Sequence, residues 1–257
     1  MEQLKVLLIT QARVGSTRFP NKVTRKLADT TLLGLHLERV KKSKLVTHFC
    51  VATTNEMGVE DIIDIAQKSN IDVFQGNLND VLDRFYQAAL LLKPDYVVRV
   101  TSDCPLIDAN LIDAVIDQTI KQNVEYGANI LVEHFPDGQD VEVFTFQSLE
   151  LAWNEAKLQS EREHVTPYIR NHSNFKGGNK FRSVNFDAPG NFNHIRMTVD
   201  EPKDLETIET LVTKLGKNQT WEVYTQYIIN NISEFKNQDI LRNEGYLKSI
   251  NNDNLVK

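Results

Sequence analysis

The run Leu4-Lys5-Val6-Leu7-Leu8-Ile9-Thr10, followed without a break by Gln11-Ala-Arg-Val-Gly-Ser-Thr-Arg-Phe-Pro-Asn-Lys-Val-Thr-Arg-Lys-Leu-Ala28, decides the reading of this chain. Its first part has the length and apolar density of a strand buried on both faces, as in a parallel sheet. Its second part holds five basic residues and no acid, in a protein whose net charge is −6. The basic loop therefore hangs from the carboxyl end of a buried strand, where open α/β sheets bind their ligands. Gly15, Ser16 and Thr17 let the backbone turn tightly and offer amide and hydroxyl donors, while Arg13, Arg18 and Lys22 can surround a polyanion from several sides. The expected guest is a triphosphate. Neither Gly-x-x-x-x-Gly-Lys-Ser/Thr nor Gly-x-Gly-x-x-Gly occurs in the chain, so the loop is neither of those two phosphate cradles. A solvated surface turn is the plainer reading of a basic loop, and the position after a strand weighs against it.

Outward from this segment, apolar runs alternate with helical periodicity. The pattern predicts strands at 4–10, 48–54, 71–74 and 95–101 and helices at 30–43, 57–69, 79–92 and 109–122, an α/β fold with a doubly wound, mostly parallel sheet. In the helix 79–92, Val81, Leu82, Phe85, Ala88, Ala89 and Leu92 form the apolar stripe, and Asp80, Asp83, Arg84 and Gln87 are expected to face away. Beyond residue 123 the pattern changes. Strands at 126–131 and 141–146, separated by the turn Pro136-Asp137-Gly138, a helix at 147–158, a polar helix at 160–170 and a loop at 171–180 are expected to form a small β-containing arm over about 126–190. A strand at 194–199 should return to the main sheet, followed by helices at 201–215 and 221–232. These elements make one domain over 1–232, and 233–257 is an extension without an assigned role, expected to fray.

With 257 residues, 41% hydrophobic and 25% charged, the chain can bury a sizeable core. No apolar run approaches the ~20 residues needed to cross a bilayer, and Met1-Glu2-Gln3 lacks the basic start of a signal peptide, so no membrane role and a cytoplasmic location are expected. A pI near 5.6 argues against nucleic acid as partner. Cys50 and Cys104 have neither metal-ligand nor disulfide-framework spacing and read as free thiols.

Val97-Val-Arg-Val-Thr-Ser-Asp103-Cys-Pro and Ile195-Arg-Met-Thr-Val-Asp200-Glu-Pro share one grammar, an apolar strand ending in Asp and then a proline that stops the ladder. If both strands belong to one sheet, two hard oxygen ligands emerge beside the triphosphate loop and make a Mg²⁺ site. Taken singly, Asp200 could instead cap the helix that follows and Asp103 a turn. Zinc does not fit, because the six histidines are scattered.

The segments 11–22, Val51-Ala-Thr-Thr54, Asp80-Val-Leu-Asp-Arg-Phe-Tyr-Gln-Ala-Ala89, 99–108, Asp137-Gly-Gln-Asp-Val-Glu-Val-Phe144, Ser160-Glu-Arg-Glu-His-Val-Thr-Pro-Tyr168 and Thr198-Val-Asp-Glu-Pro-Lys-Asp204 resemble the SpsF-like cytidylyltransferases of spore-coat polysaccharide synthesis, relatives of the CMP-Kdo and CMP-sialic acid synthetases. Phe19 departs from the pattern, standing where Leu or Ile is commoner. The resemblance implies a GT-A-like nucleotidyltransferase fold, CTP held by the N-terminal loop, Mg²⁺ on Asp103 with help from Asp200, and CMP transfer to a sugar or sugar acid with release of pyrophosphate. On this reading Arg13, Lys22 and Asp103 are the catalytic candidates. Ala12, Arg13, Gly15, Ser16, Thr17, Arg18 and Lys22 bind the nucleotide, with the Asn79-Asp80 helix start and the Ala12 backbone proposed for cytosine. Asp137, Gln139, Asp140 and Glu142 around the turn, with Glu161, Arg162 and His164 on the polar helix, are expected to hold the acceptor, and Arg162 or Arg196 a carboxylate on it. Phe135, Val141, Val143, Phe144 and Phe146 offer more apolar surface than a small arm can bury, which points to a homodimer through that arm. Two rivals stand beside this reading: a glycosyltransferase on the same fold, although Asp-x-Asp is absent, and a nucleotide sensor without turnover.

Overall fold

A computed structural model describes residues 4–16 and 18–256. Thr17, expected in the nucleotide loop, lies outside the described residues. The first half is the alternation the sequence predicts: β1 (Val6–Gln11), a small antiparallel pair β2 (Lys26–Leu27) and β3 (Thr30–Thr31), α1 (Leu32–Val40), β4 (His48–Thr54), α2 (Glu60–Lys68), β5 (Asp72–Gly76), α3 (Val81–Leu90), β6 (Tyr96–Thr101) and α4 (Ala109–Lys121). Helix α1 begins where the Thr31 side chain accepts from the Gly34 amide at 3.0 Å, and α4 where Asp108 accepts from the Asn110 amide at 2.8 Å. The second half adds β7 (Tyr126–Ala128), β8 (Glu142–Thr145), α5 (Phe146–Glu155), α6 (Gln159–His164), α7 (Pro167–Asn171), β9 (Ser183–Asn185), α8 (Pro202–Leu215), α9 (Trp221–Asn230) and α10 (Glu244–Asn251).

The main sheet has the order β5-β4-β1-β6-β8-β7-β9. Strands β5, β4, β1 and β6 run parallel, and β8 is antiparallel to both its neighbours. Successive side chains of β1 point to opposite faces, so Val6 and Leu8 pack with α1, α2, α4, α8 and α9, while Leu7 and Ile9 pack with α3, α5 and α7. The sequence runs from β1 to β4 and β5 on one side and then to β6 on the other, so the crevice at the carboxyl ends of β1 and β6 is the topological switch point.

Four expectations are corrected. The strands expected in a separate arm are part of the central sheet: β8 pairs directly with β6, and its Val143 and Phe144 are buried on opposite faces. Phe135, Val141, Val143, Phe144 and Phe146 are all 6% exposed or less inside the chain's own core, so the surplus apolar surface that suggested a dimer arm does not exist. Residues 194–199 are extended but are not a sheet strand, because β8 already occupies the edge of β6. They make one isolated bridge, Arg196 with Asp137, and close hydrogen bonds around it, the Met197 amide donating to Asp137 O at 2.7 Å and the Val199 amide to Asp103 O at 2.8 Å. Gly138, at φ 103°, allows this approach, since a Cβ there would stand 2.7 Å from the Met197 carbonyl carbon. The polar helix 160–170 is two helices broken at Val165, whose φ of 71° is unusual for a β-branched residue, and Pro167 then opens α7.

Candidate active site

The switch point opens into a cavity of about 870 Å³. A smaller hollow of about 480 Å³ lies at the opposite, amino-terminal ends of β1 and β6, beside Leu4 and Asp95, and gathers no cluster of reactive groups. At the large cavity the loop after β1 stays tied to the sheet, the Ala12 amide donating to Ala52 O at 3.2 Å, and then folds back as Ser16 and Asn21 both donate to Val14 O. Phe19 is buried beneath it with the Arg25 guanidinium 5.1 Å above its ring, so the aromatic departure from the family pattern fills core space. Ala12, Arg13, Ser16, Arg18 and Lys22 line the cavity, as the loop reading expects, whereas Gly15 of the same loop is not among the lining residues.

The two aspartates are together. The Lys22 ammonium donates to Asp103 Oδ2 at 3.1 Å, to Asp200 Oδ1 at 2.7 Å and to Val199 O at 2.8 Å, using all three of its protons. Burial alone would raise the Asp103 carboxyl, but the Lys22 charge and hydrogen bonds from Thr101, Lys22 and Cys104 outweigh it and hold it at about 2. Burial likewise works to lower Lys22, and the charges of Asp103 and Asp200 turn the shift upward. Asp200 also takes Arg18 Nη2 at 3.1 Å. It does not cap α8: Glu201 is the N-cap, and the buried Asp204 accepts from the amides of Asp200 and Glu201 at 2.8 and 2.9 Å while pairing bidentately with Arg196. The carboxylate of Asp200 is left to the cavity, and the capping alternative falls. Among the described residues no group of three or more His, Cys, Asp or Glu side chains could enclose a metal. A carboxylate pair of this kind suits Mg²⁺, which keeps waters and takes its remaining ligands from substrate phosphates.

The acceptor residues divide. Asp137, Asp140, Glu142, His164 and Arg196 line the cavity. Asp137 pairs with Arg196 at 2.8 Å, and burial followed by the neighbouring Asp140 charge pushes its carboxyl up to about 7. Asp140 pairs with Arg242 at 2.5 Å, and Glu142 sits at the floor between Arg99 Nη1 at 2.6 Å and the Tyr126 hydroxyl at 2.5 Å. Burial, then the Arg99 charge, pushes the His164 imidazole down to about 4. Gln139, Glu161 and Arg162 do not reach the cavity. The buried Gln139 accepts from the Asp108 amide and donates to Leu106 O, Glu161 accepts from the amides of Lys157 and Leu158, and Arg162 clamps Asp80 through Nε and Nη2. Asp80 is the N-cap of α3 besides, so only Asn79 of the expected cytosine pair faces the cavity.

Two features escaped the sequence reading. Arg84, expected on the solvent side of α3, is 2% exposed and lines the cavity. The spacing held the signal, since Arg84 lies three residues after the buried Val81. The extension after residue 232 is also ordered and walls the site. Its Asn237 donates to Asp204, Arg242 pairs with Asp140, Glu244 meets Arg18 at 3.4 Å, and Tyr246 takes the Arg170 guanidinium on its hydroxyl and ring face. It then docks on α6, where Ser160 donates to Asp253 and Leu255 bridges to Leu158. A polar segment with no motif of its own carried no such signal.

Together the mostly parallel sheet, the basic loop after its first strand and two carboxylates at the switch point define a nucleotidyltransferase-like α/β enzyme fold. The chain belongs to the cytidylyltransferase family, whose model matches residues 7–236, and is a CTP-dependent nucleotidyltransferase. It is 33% identical to the spore coat polysaccharide biosynthesis protein SpsF of Bacillus subtilis over 82% of this chain and 88% of that one. The structure of a cytidylyltransferase from Leptospira borgpetersenii covers 93% of this chain and all of its own, with a TM-score of 0.85 at 34% identity. The 3-deoxy-manno-octulosonate cytidylyltransferase of Geobacter metallireducens is 30% identical over 44% of each chain. Membership in this family sets aside the glycosyltransferase alternative. No helix among the described residues is long and apolar enough to cross a membrane.

Proposed function

We propose that the protein transfers CMP from CTP to a sugar-acid acceptor, and that the two carboxylates gathered on Lys22 at the switch point are the centre of that reaction. An acceptor oxygen attacks the α-phosphorus as its proton passes to solvent water, the new P–O bond forms, and the bond from the α-phosphorus to the oxygen bridging it to the β-phosphorus breaks, that oxygen leaving with pyrophosphate. Arg13, Arg18 and Lys22 line the side of the cavity where the triphosphate would lie, and their charge offsets that of the departing pyrophosphate. Mg²⁺ held by Asp103 and Asp200 would relieve charge on the phosphates during transfer. Until then Lys22 balances both carboxylates and keeps them close, so the site is assembled before any ligand arrives. The acceptor faces Asp137, Asp140, Arg170 and the strap that carries Arg242 and Tyr246. This polar, cation-bearing wall suits a hydroxyl-rich molecule with a carboxylate, and the similarity to a 3-deoxy-manno-octulosonate cytidylyltransferase supports the same class. Pyrophosphate release with CTP, Mg²⁺ and a panel of sugar acids tests the reading. Turnover with one of them carries it, and CTP binding without pyrophosphate release from any of them would leave a nucleotide sensor instead.

A further inference from the structure

We propose that Arg84 and Gln11 together read the nucleobase, Arg84 donating to O2 and N3 of cytosine and Gln11 Oε1 accepting from its N4 amino group. The inference rests on the reading of CTP as the nucleotide and begins from an imbalance. Arg84 is among the largest fully buried side chains, yet its Nε and Nη1 have no hydrogen-bond partner, and no carboxylate lies within ion-pair distance of it among the described residues. Burying a cation without a partner is costly and is seldom tolerated without a use. Burial, then the Arg13 charge, lowers its guanidinium to about 10, so it stays protonated at neutral pH.

The placement is built. The Arg84 stem crosses the end of β5 at Gly76, where a Cβ would stand 2.7 Å from Arg84 Cγ. Only a residue without a side chain leaves this path open. Gln11 closes β1 on the face of Leu7 and Ile9, the face packed against α3, which carries Arg84. Its Oε1 is buried and also has no partner. Both side chains line the cavity beside Ala12, Leu78 and Asn79.

Unsatisfied donors and an unsatisfied acceptor thus share one end of the site. A phosphate carries only acceptors there and would be repelled by the Gln11 oxygen. Cytosine presents N4–H as donor with N3 and O2 as adjoining acceptors, which matches the pair, whereas uracil presents O4 and N3–H and opposes it. The lone donors and acceptor therefore select C over U.

The test uses Arg84→Met, Arg84→Lys and Gln11→Leu, with melting temperatures without ligand and calorimetric affinities for CTP, UTP and inorganic tripolyphosphate in Mg²⁺. Arg84→Met should melt at or above wild type, because an unpaired buried charge is gone, while its CTP affinity falls at least about tenfold. The preference for CTP over UTP should fall by a similar factor in Arg84→Met and Gln11→Leu, with tripolyphosphate affinity unchanged. Tripolyphosphate affinity falling in step with CTP would assign Arg84 to the phosphates and overturn the inference. Unchanged CTP selectivity in folded Arg84→Lys and Gln11→Leu would overturn it as well. A wild-type protein that does not prefer CTP overturns the nucleotide reading itself, an outcome distinct from selective wild type and equally selective variants.

Discussion

Lys22→Met removes the single cation that joins Asp103 to Asp200. Its contacts at 3.1 and 2.7 Å, in a side chain only 12% exposed, place the pair between the surface and buried regimes. At an effective dielectric near 20, each contact is worth about 5 kcal/mol of Coulomb energy before the cost of desolvation. Without Lys22 the two carboxylates face each other across no more than about 6 Å, the two contacts laid end to end, and repel by roughly 3 kcal/mol on the same scale. Breaking one partner out of such a cluster costs about 3–5 kcal/mol in measured cases, which for a chain of this size lowers Tm by roughly 6–20 °C. The pH dependence carries the sign. In the wild type the folded Asp103 carboxyl lies at about 2, below its ordinary value, so its stabilisation is present above about pH 4 and is lost as pH falls toward 2. In Lys22→Met burial and the Asp200 charge act unopposed by Lys22, so protonation relieves the variant as pH falls. Scanning calorimetry from neutral pH to about pH 4 should show the gap between the two proteins narrowing. A Tm loss below about 2 °C, or a gap that does not change with pH, would refute the electrostatic account.

Asp103→Asn should abolish pyrophosphate release, and Asp200→Asn should impair it severely without weakening the start of α8, because Asp204 does the capping; steady-state kinetics with melting curves checks both. His36 is wholly buried, with Nδ1 donating to Cys104 O at 3.0 Å and Nε2 unpartnered among the described residues, and burial holds it down to about 4. A depressed histidine stabilises fully above its unfolded value near 6.5 and loses that stabilisation as pH falls toward 4, a loss of about 3 kcal/mol. His36→Gln should therefore flatten the stability profile over that interval, and an unaltered slope would show that His36 does not set it. Arg162→Met should cost about 1–3 kcal/mol by freeing Asp80 while leaving acceptor KM unchanged; an acceptor KM raised tenfold at constant stability would return Arg162 to the site.

The first half of the fold was legible because its information is local: a buried strand, a basic loop and a helix with an apolar stripe each announce themselves within a dozen residues. Asp103 and Asp200 were legible for the same reason, each ending an apolar run before a proline. What failed was pairing at a distance. Nothing in Val141–Phe146 says that it fills the edge of β6, and that one pairing decides both that these strands join the central sheet and that residues 194–199 find no place in it. Polar residues failed in a second way. Gln139 and Glu161 look the same in sequence whether they face a sugar or satisfy a backbone amide; the fold brings the Asp108 amide to Gln139 from 31 residues away, whereas Glu161 is used locally, closing the start of its own helix on the Leu158 amide.

The strap from Asn237 to Val256 holds its place mostly by hydrogen bonds and ion pairs at its edges, with Leu241, Leu247 and Leu255 more than half exposed. The apolar core is made almost entirely by residues before it. Releasing the strap would therefore uncover little hydrophobic surface, so this wall can open while the sheet stays closed. During synthesis the same residues leave the ribosome after Arg18, Asp140, Ser160, Arg170 and Asp204, on which they dock. The nucleotide half of the pocket can form on the nascent chain, and the acceptor half is completed only when residues 237–256 fold across it.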